Sequence, residues 1–134
     1  MDMNIGVLLG AYVREIYVNS DQSEMYIDTI DGTICLEAHG DCCSETWFAD
    51  FVGVEAFLCS TILLVERLPT READDNRTRQ QVDEVYGYRF RTANGDSTLV
   101  FRNSSNGYYG GSLDVKEIEA MPTGLTQIIA DWSA

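Results

Sequence analysis

Polar and apolar residues alternate in short runs along most of this chain, a pattern typical of half-buried β-strands. The alternation predicts strands over residues 12–18, 24–30 and 33–38. Between the last two, Asp31 and Gly32 predict a hairpin turn, because a tight hairpin needs positive φ angles that Gly adopts freely and Asp tolerates. We therefore expect the first part of the chain to form antiparallel strands.

The second half of the chain repeats this pattern. Residues 84–92, 97–102 and 108–115 contain strand-like runs, and Asn94-Gly95 gives another turn signal. We expect these three runs to form a meander in one sheet. The continuous apolar run within residues 61–68 predicts a strand that is covered on both faces.

Two segments carry apolar residues at helical spacing instead. Ser44 is a suitable N-cap for a short helix near residues 45–58, and residues 123–132 predict a C-terminal helix. The polar stretch of residues 70–82 predicts an exposed loop. Together these elements predict a single α+β domain over residues 1–134, with a mainly antiparallel sheet of about seven strands.

Charge narrows the range of partners. The chain has 22 Asp and Glu against 9 Lys and Arg, a formal net charge of -13. Nucleic acids and anionic membrane surfaces repel such a protein, so neither is an expected partner. No apolar run approaches the ~20 residues that span a bilayer, and the first residues lack the basic start of a secretory signal. We expect a cytoplasmic protein that binds another protein.

Acidic residues recur every few positions between residues 28 and 55. A dense array of carboxylates can imitate the phosphates of a nucleic acid and occupy a basic groove on a partner. The alternative is that these acids only keep a small protein soluble. The candidate partner-binding residues are Asp28, Asp31, Glu37, Asp41, Glu45, Asp50 and Glu55, with Trp47 as an apolar anchor.

A second group of residues carries thiol and imidazole chemistry. His39, Cys42 and Cys43 lie in one short stretch, with Cys35 and Cys59 elsewhere. Adjacent cysteines point apart in an extended segment, whereas structural zinc sites take Cys-x-x-Cys pairs, so the spacing argues against a metal. Nothing marks a catalytic cysteine either, because a single histidine and an acidic setting do not favour a thiolate. We expect no metal, no cofactor and no enzymatic activity.

Residues 103–111 join amide, hydroxyl and aromatic side chains with several glycines. Such a loop could bind a nucleotide, with a tyrosine stacking on the base and an arginine meeting the phosphate. A wide turn explains the same composition, because Asn and Gly suit turn conformations. The residues of this alternative ligand site are Asn106, Tyr108, Tyr109, Arg91 and Arg102.

The order of several motifs is recognisable across residues 6–115. The chain carries Leu8-Leu9-Gly10, then Asp41-Cys42-Cys43-Ser44, then Ile62-Leu63-Leu64, then Ser105-Asn106-Gly107-Tyr108-Tyr109. This order resembles a small domain family of unknown function that is met chiefly in phage and prophage proteins. The resemblance implies an accessory phage protein and supplies no catalytic residues.

Three hypotheses follow from these observations. The leading one is an interaction protein that blocks a nucleic-acid-handling protein of a host defence system, such as a CRISPR effector or a restriction enzyme. The second is a sponge for a nucleotide immune signal, and the third is a metal- or thiol-dependent enzyme that uses residues 39–43. The charge and the absence of catalytic motifs favour the first.

Overall fold

Two antiparallel sheets pack face to face in this protein. The computed structural model describes residues 3–41, 43–73, 75, 77–107 and 110–134. The strands are β1 (Tyr12–Val18), β2 (Glu24–Thr29), β3 (Gly32–Gly40), β4 (Glu45–Val52), β5 (Ser60–Thr61), β6 (Leu64–Glu72), β7 (Val82–Thr92), β8 (Gly95–Ser105), β9 (Gly111–Ile118), β10 (Thr126–Gln127) and β11 (Trp132–Ser133). The first sheet has the order β10-β1-β2-β3-β9, with β5 also paired to β1, and the second has the order β11-β4-β8-β7-β6.

The core lies between the two sheets. Apolar side chains on the inner faces of the longer strands point into it and form one continuous cluster. Phe51, Phe57 and Phe90 pack together there, with ring centres 5.0 to 6.5 Å apart. Tyr86 stacks on Phe101 at 4.9 Å. The strand alternation predicted for residues 84–92 is therefore confirmed for the aromatic side of β7.

The α+β prediction is wrong, because residues 45–52 form a strand and only Val54–Phe57 form an α-helix, α1. A β-bulge explains the misleading spacing. The register of β4 against β8 shifts between Phe48 and Asp50, so Ala49 is an extra residue. Phe48 and Phe51 consequently both face the core although they are three positions apart, which imitates a helical period.

The predicted C-terminal helix is also absent. Residues 126–127 pair with β1, and residues 132–133 pair with β4. The C-terminal segment (residues 119–134) thus crosses from one sheet to the other and adds a short edge strand to each. Of its apolar side chains, Ile128 is buried whereas Ile129 is exposed, so the helical spacing does not mark one buried face.

Three more sequence-based expectations are wrong. β9 pairs with β3 in the first sheet, whereas β7 and β8 lie in the second sheet, so the three runs form no meander. The run from Ile62 to Val65 is not one doubly covered strand: Ile62 is buried between β5 and β6, and Leu63 is exposed. Eleven short strands in the described residues replace the seven that we expected.

Both predicted hairpins form, but their turns are Ile30-Asp31 and Ala93-Asn94, one residue earlier than the predicted Asp31-Gly32 and Asn94-Gly95. In each one the glycine begins the returning strand, with φ of 136° at Gly32 and 132° at Gly95, while the two residues before it form the turn. A membrane-crossing helix would need more length and more apolar residues than any helix in the described part of the chain has.

Candidate functional site

The outer face of the first sheet carries a row of three carboxylates. Glu24 lies opposite Glu37 across β2 and β3, and Glu37 lies opposite Asp114 across β3 and β9. Their neighbours Met25, Leu36, Ala38, Leu113 and Val115 point into the core or pack against it, so strand alternation places the three acids on the outer side. Side chains directly opposite on neighbouring strands are about 5 Å apart at Cβ. We call Glu24, Glu37 and Asp114 the carboxylate row.

Two basic side chains, His39 and Lys116, lie against this row. His39 Nε2 is 2.6 Å from a Glu37 oxygen and 3.0 Å from an Asp114 oxygen. Lys116 Nζ is 3.4 Å from Glu37, and this hydrogen bond raises the pKa of Lys116. Asp114 nevertheless keeps 66% of its side chain exposed. The row therefore retains excess negative charge on an accessible surface.

The next row along the same face contains no acid and is buried at its centre, at Tyr26 and Cys35. It runs from Tyr17 through Tyr26 and Cys35 to Lys116 across four strands. The Tyr26 hydroxyl donates to Glu24, and burial followed by this bond raises the pKa of Tyr26. Burial raises the pKa of Cys35 to about 11. Both groups stay protonated near neutral pH, so Cys35 is no nucleophile in this setting.

Two further acids complete this face. Asp28 accepts from Arg14 at 3.2 Å and from Thr33 at 3.3 Å, and it is nearly buried. Glu15 lies opposite Asp28 and accepts from Tyr17 and Gln127. Arg14 thus offsets the charge of Asp28, whereas Tyr17 and Gln127 hold Glu15 in place without offsetting its charge.

Sequence reasoning identified part of this face. It named Asp28 and Glu37 but missed Glu15, Glu24 and Asp114. Alternation in residues 24–30 places Glu24 on the same side as Asp28, so local pattern held that signal. No local pattern shows that Asp114 lies beside Glu37, because β3 and β9 are far apart in the sequence.

The other predicted partner-binding residues lie elsewhere. Trp47, Glu45 and Asp50 belong to β4 of the second sheet, and Trp47 is buried. Asp31 is exposed in the turn before β3, Asp41 is exposed after β3, and Glu55 is exposed in α1. The eight residues that the sequence singled out therefore do not form one surface.

The described residues of 70–82 are exposed or half-buried, in line with the exposed loop predicted there, but residues 70–72 belong to β6 and the connection from β6 to β7 lies against the outer face of the second sheet. β6 continues to Glu72, and the connecting residues contact β4 and β8. The Arg79 guanidinium lies 3.8 Å from the centre of the Trp47 ring. Arg77 donates twice to Asp50, at 3.3 and 3.2 Å. Ser104 Oγ accepts from the backbone N–H groups of Arg79 and Gln80.

Arg102 lies beneath this connection as a buried cation. Its Nη1 donates to Asp83 and Asp75 at 3.0 Å each, and its Nη2 donates to Asp75 as well. The Arg102 side chain is 2% exposed and that of Asp83 is 0% exposed. The bond from Arg102, followed by the Arg77 backbone N–H, holds the pKa of Asp75 well below its ordinary value. Arg102 is thus already neutralised from within the chain.

The alternative ligand-binding residues do not converge on one site among those described. Asn106 is exposed after β8, and Tyr108 and Tyr109 lie outside the described residues. Arg91 pairs with Asp96 at the β7–β8 turn, at 2.9 Å. Arg102 lies at the level of Val85, and six residues along a strand span about 20 Å. Residues 103–105, predicted as a turn, are buried residues of β8.

The thiol and imidazole residues do not assemble a metal site within the part of the chain that the structure describes. His39 belongs to β3 and contacts Glu37 and Asp114. Cys43 is exposed, and its carbonyl accepts from Gln80 at 3.2 Å. Cys42 lies outside the described residues. Cys35 is buried in the first sheet and Cys59 is exposed near β5.

Comparison with known proteins gives one match. A family model described as a domain of unknown function, DUF7448, matches residues 7–115. No curated protein and no solved structure matches the chain. The matched range includes β1 to β8 and ends within β9, so it leaves out β10 and β11.

Proposed function

We propose that this chain, which belongs to the DUF7448 family, is a binding protein that presents the carboxylate row to a basic surface of a protein partner. The observation that carries the proposal is the direct opposition of Glu24, Glu37 and Asp114 on three neighbouring strands. The row lies on an outer sheet face of a protein whose formal charge is -13.

The energetics of the row support a binding role. Like charges directly opposite across strands are destabilising by about 0.2–1 kcal/mol per pair. His39 and Lys116 offset part of this cost, but three carboxylates with one lysine keep a local excess of negative charge. A cationic surface would relieve that excess, and complementary charges also accelerate association.

The partner class that we favour is a protein with a basic groove for nucleic acid. Closely spaced carboxylates on a rigid sheet can occupy such a groove as phosphates do, whereas direct binding to nucleic acid would be repulsive. In its most specific form, the proposal is a phage-type accessory protein in the cytoplasm of a bacterial host. There it would block a defence protein of the CRISPR or restriction type.

Two charge-matched variants test the role of the row. The row variant carries Glu24→Gln, Glu37→Gln and Asp114→Asn. The control variant carries Asp31→Asn, Glu55→Gln and Glu72→Gln, three exposed acids outside the row. Each variant loses three negative charges. The wild type is immobilised, a bacterial lysate is passed over it, and the captured protein is identified and purified for binding measurements.

We expect the row variant to bind the captured protein at least about tenfold more weakly than the control variant does. The captured protein should also lose nucleic-acid binding when wild type is added, and the interaction should weaken as salt rises. Equal loss in both variants would show that only total charge matters and would contradict the proposal, as would affinity that salt leaves unchanged.

A further inference from the structure

One long sheet edge in the described part of the chain has a regular, unbroken register. β10 and β11 are two-residue edge strands, and β6 contains Pro69 and a register shift between Leu68 and Arg71. Short strands, proline, bulges and charged side chains are the usual protection of sheet edges, and β9 has only the last of these, at Asp114, Lys116 and Glu117. β9, in contrast, pairs with β3 in unbroken register over its whole length. Among the described residues, no strand pairs with the other side of β9.

We propose that β9 pairs with β9 of a second copy of this chain, antiparallel and around a two-fold axis at Val115. Residues directly opposite each other in an antiparallel pair face the same side of the sheet. In a symmetric pair the two-fold axis must therefore pass between two copies of the same residue. The two central choices in this strand are Asp114 and Val115. A centre at Asp114 places two aspartates opposite each other, which is unfavourable.

The register centred at Val115 is self-complementary in charge. It places Asp114 opposite the partner's Lys116, and Lys116 opposite the partner's Asp114, on the outer side of the sheet. The two side chains are 66% and 58% exposed, so each is accessible to a second copy. On the inner side the two Val115 residues meet, and each half-buried Leu113 faces the partner's Glu117.

The paired copies form one continuous sheet. A two-fold axis perpendicular to the sheet leaves both outer faces on the same side, so the two carboxylate rows flank the axis. Pairing goes beyond the binding function proposed above and does not depend on it. Salt separates the two, because screening weakens attraction to a basic partner but reduces the repulsion between two copies of charge -13.

Sedimentation velocity tests the pairing over protein concentrations from about 1 μM to about 1 mM. We expect wild type to shift from monomer to dimer in this range, with more dimer at about 0.5 M NaCl than at about 0.02 M. The single variants Asp114→Lys and Lys116→Asp each place like charges opposite each other twice, and should weaken dimerisation about tenfold. The double exchange D114K/K116D should restore it.

Two charge-matched controls lie on β6 in the other sheet. Glu72→Lys changes the net charge as Asp114→Lys does, and Arg71→Asp changes it as Lys116→Asp does. The dimer dissociation constant of each control should stay within about twofold of the value expected from its change in net charge alone. Circular dichroism checks that each variant is folded. A wild type that stays monomeric throughout, or a double exchange that fails to restore pairing, would overturn the proposal.

Discussion

Arg102 is buried in the fold, although the sequence around it gives no sign of burial. It lies in an alternating run that gives no sign of burial, yet its guanidinium is enclosed by Asp83 and Asp75. Asp83 Oδ1 and Arg102 Nε are buried and accept or donate no hydrogen bond. An ion pair enclosed in this way costs desolvation energy, and it stabilises the fold only while both partners remain.

Removing one partner of this pair should therefore be more harmful than removing both charges. We expect Arg102→Leu to lower the free energy of unfolding by about 3–5 kcal/mol, because it leaves the Asp83 carboxylate buried without a cation. Adding Asp83→Asn should recover at least half of that loss. Urea denaturation of both variants and wild type measures the effect. If the second substitution lowers stability further, the account of the pair is wrong.

Asp75 gives the same network a dependence on pH. Its pKa in the folded protein lies below the ordinary value of 3.8, because Arg102 stabilises the carboxylate. The stabilisation is therefore fully present above about pH 5 and declines as the pH falls below 3.8 toward the lowered pKa. We expect wild type to melt at a higher temperature than Asp75→Asn near neutral pH.

The difference between these two melting temperatures should narrow steadily as the pH falls below about 4. Differential scanning calorimetry across this range provides the measurement. Asp31→Asn, which removes an exposed carboxylate from the turn before β3, is the control for carboxylate loss. A gap between wild type and Asp75→Asn that stays constant down to about pH 2 would contradict the role assigned to Asp75.

At the scale of elements, local pattern predicted strands well wherever side chains alternate without interruption. β2, β3 and the two hairpins belong to this group. β4 does not, because the extra Ala49 changes a two-residue period into a three-residue step. β1 also contains a bulge, with Arg14 as the extra residue, but the strand predicted over residues 12–18 is confirmed, because the alternation beyond the bulge is intact. A bulge and a helical turn give similar spacing in a short segment, so sequence alone could not separate them.

The candidate site was predictable only to the extent that it is local. Alternation indicates that Glu24 and Asp28 share a face, and that Cys35 and Glu37 share another. The pairing of β2 with β3 joins these two faces, and the pairing of β3 with β9 adds Asp114. β3 and β9 are more than seventy residues apart in the sequence. Nothing in either strand encodes that choice, because both sheets offer strands with an apolar side and a polar side.

The short helix α1 depends on a distant side chain. Gly53 begins it at φ 76° and offers no side-chain cap, and Asp131 Oδ1 accepts from the backbone N–H groups of Gly53 and Val54 at 2.8 and 3.3 Å. We expect Asp131→Ala to lower the free energy of unfolding by about 1 kcal/mol, as loss of a cap does. Asp131→Asn retains an acceptor oxygen and should lose less. Equal losses in urea denaturation would exclude the capping role.

At the scale of the whole molecule, the two outer faces use their acids differently. On the second sheet, Asp50, Asp75 and Asp83 are bound by arginines, largely through the β6–β7 connection. On the first sheet, Lys116 and His39 are the basic side chains that contact the carboxylate row among the residues that the structure describes. The excess negative charge therefore lies more on the outer face of the first sheet than on that of the second. The composition, with its net charge of -13, could not show which acids have a basic partner.

The C-terminal segment also matters to anyone who designs a fragment of this family. The matched range stops at residue 115, which is inside β9. A fragment cut there would lose the end of β9, the short strands that flank β1 and β4, and the Asp131 carboxylate beneath α1. Newly bared strand backbone promotes aggregation. Expression boundaries should therefore follow the two sheets through Ser133 rather than the limit of the family match.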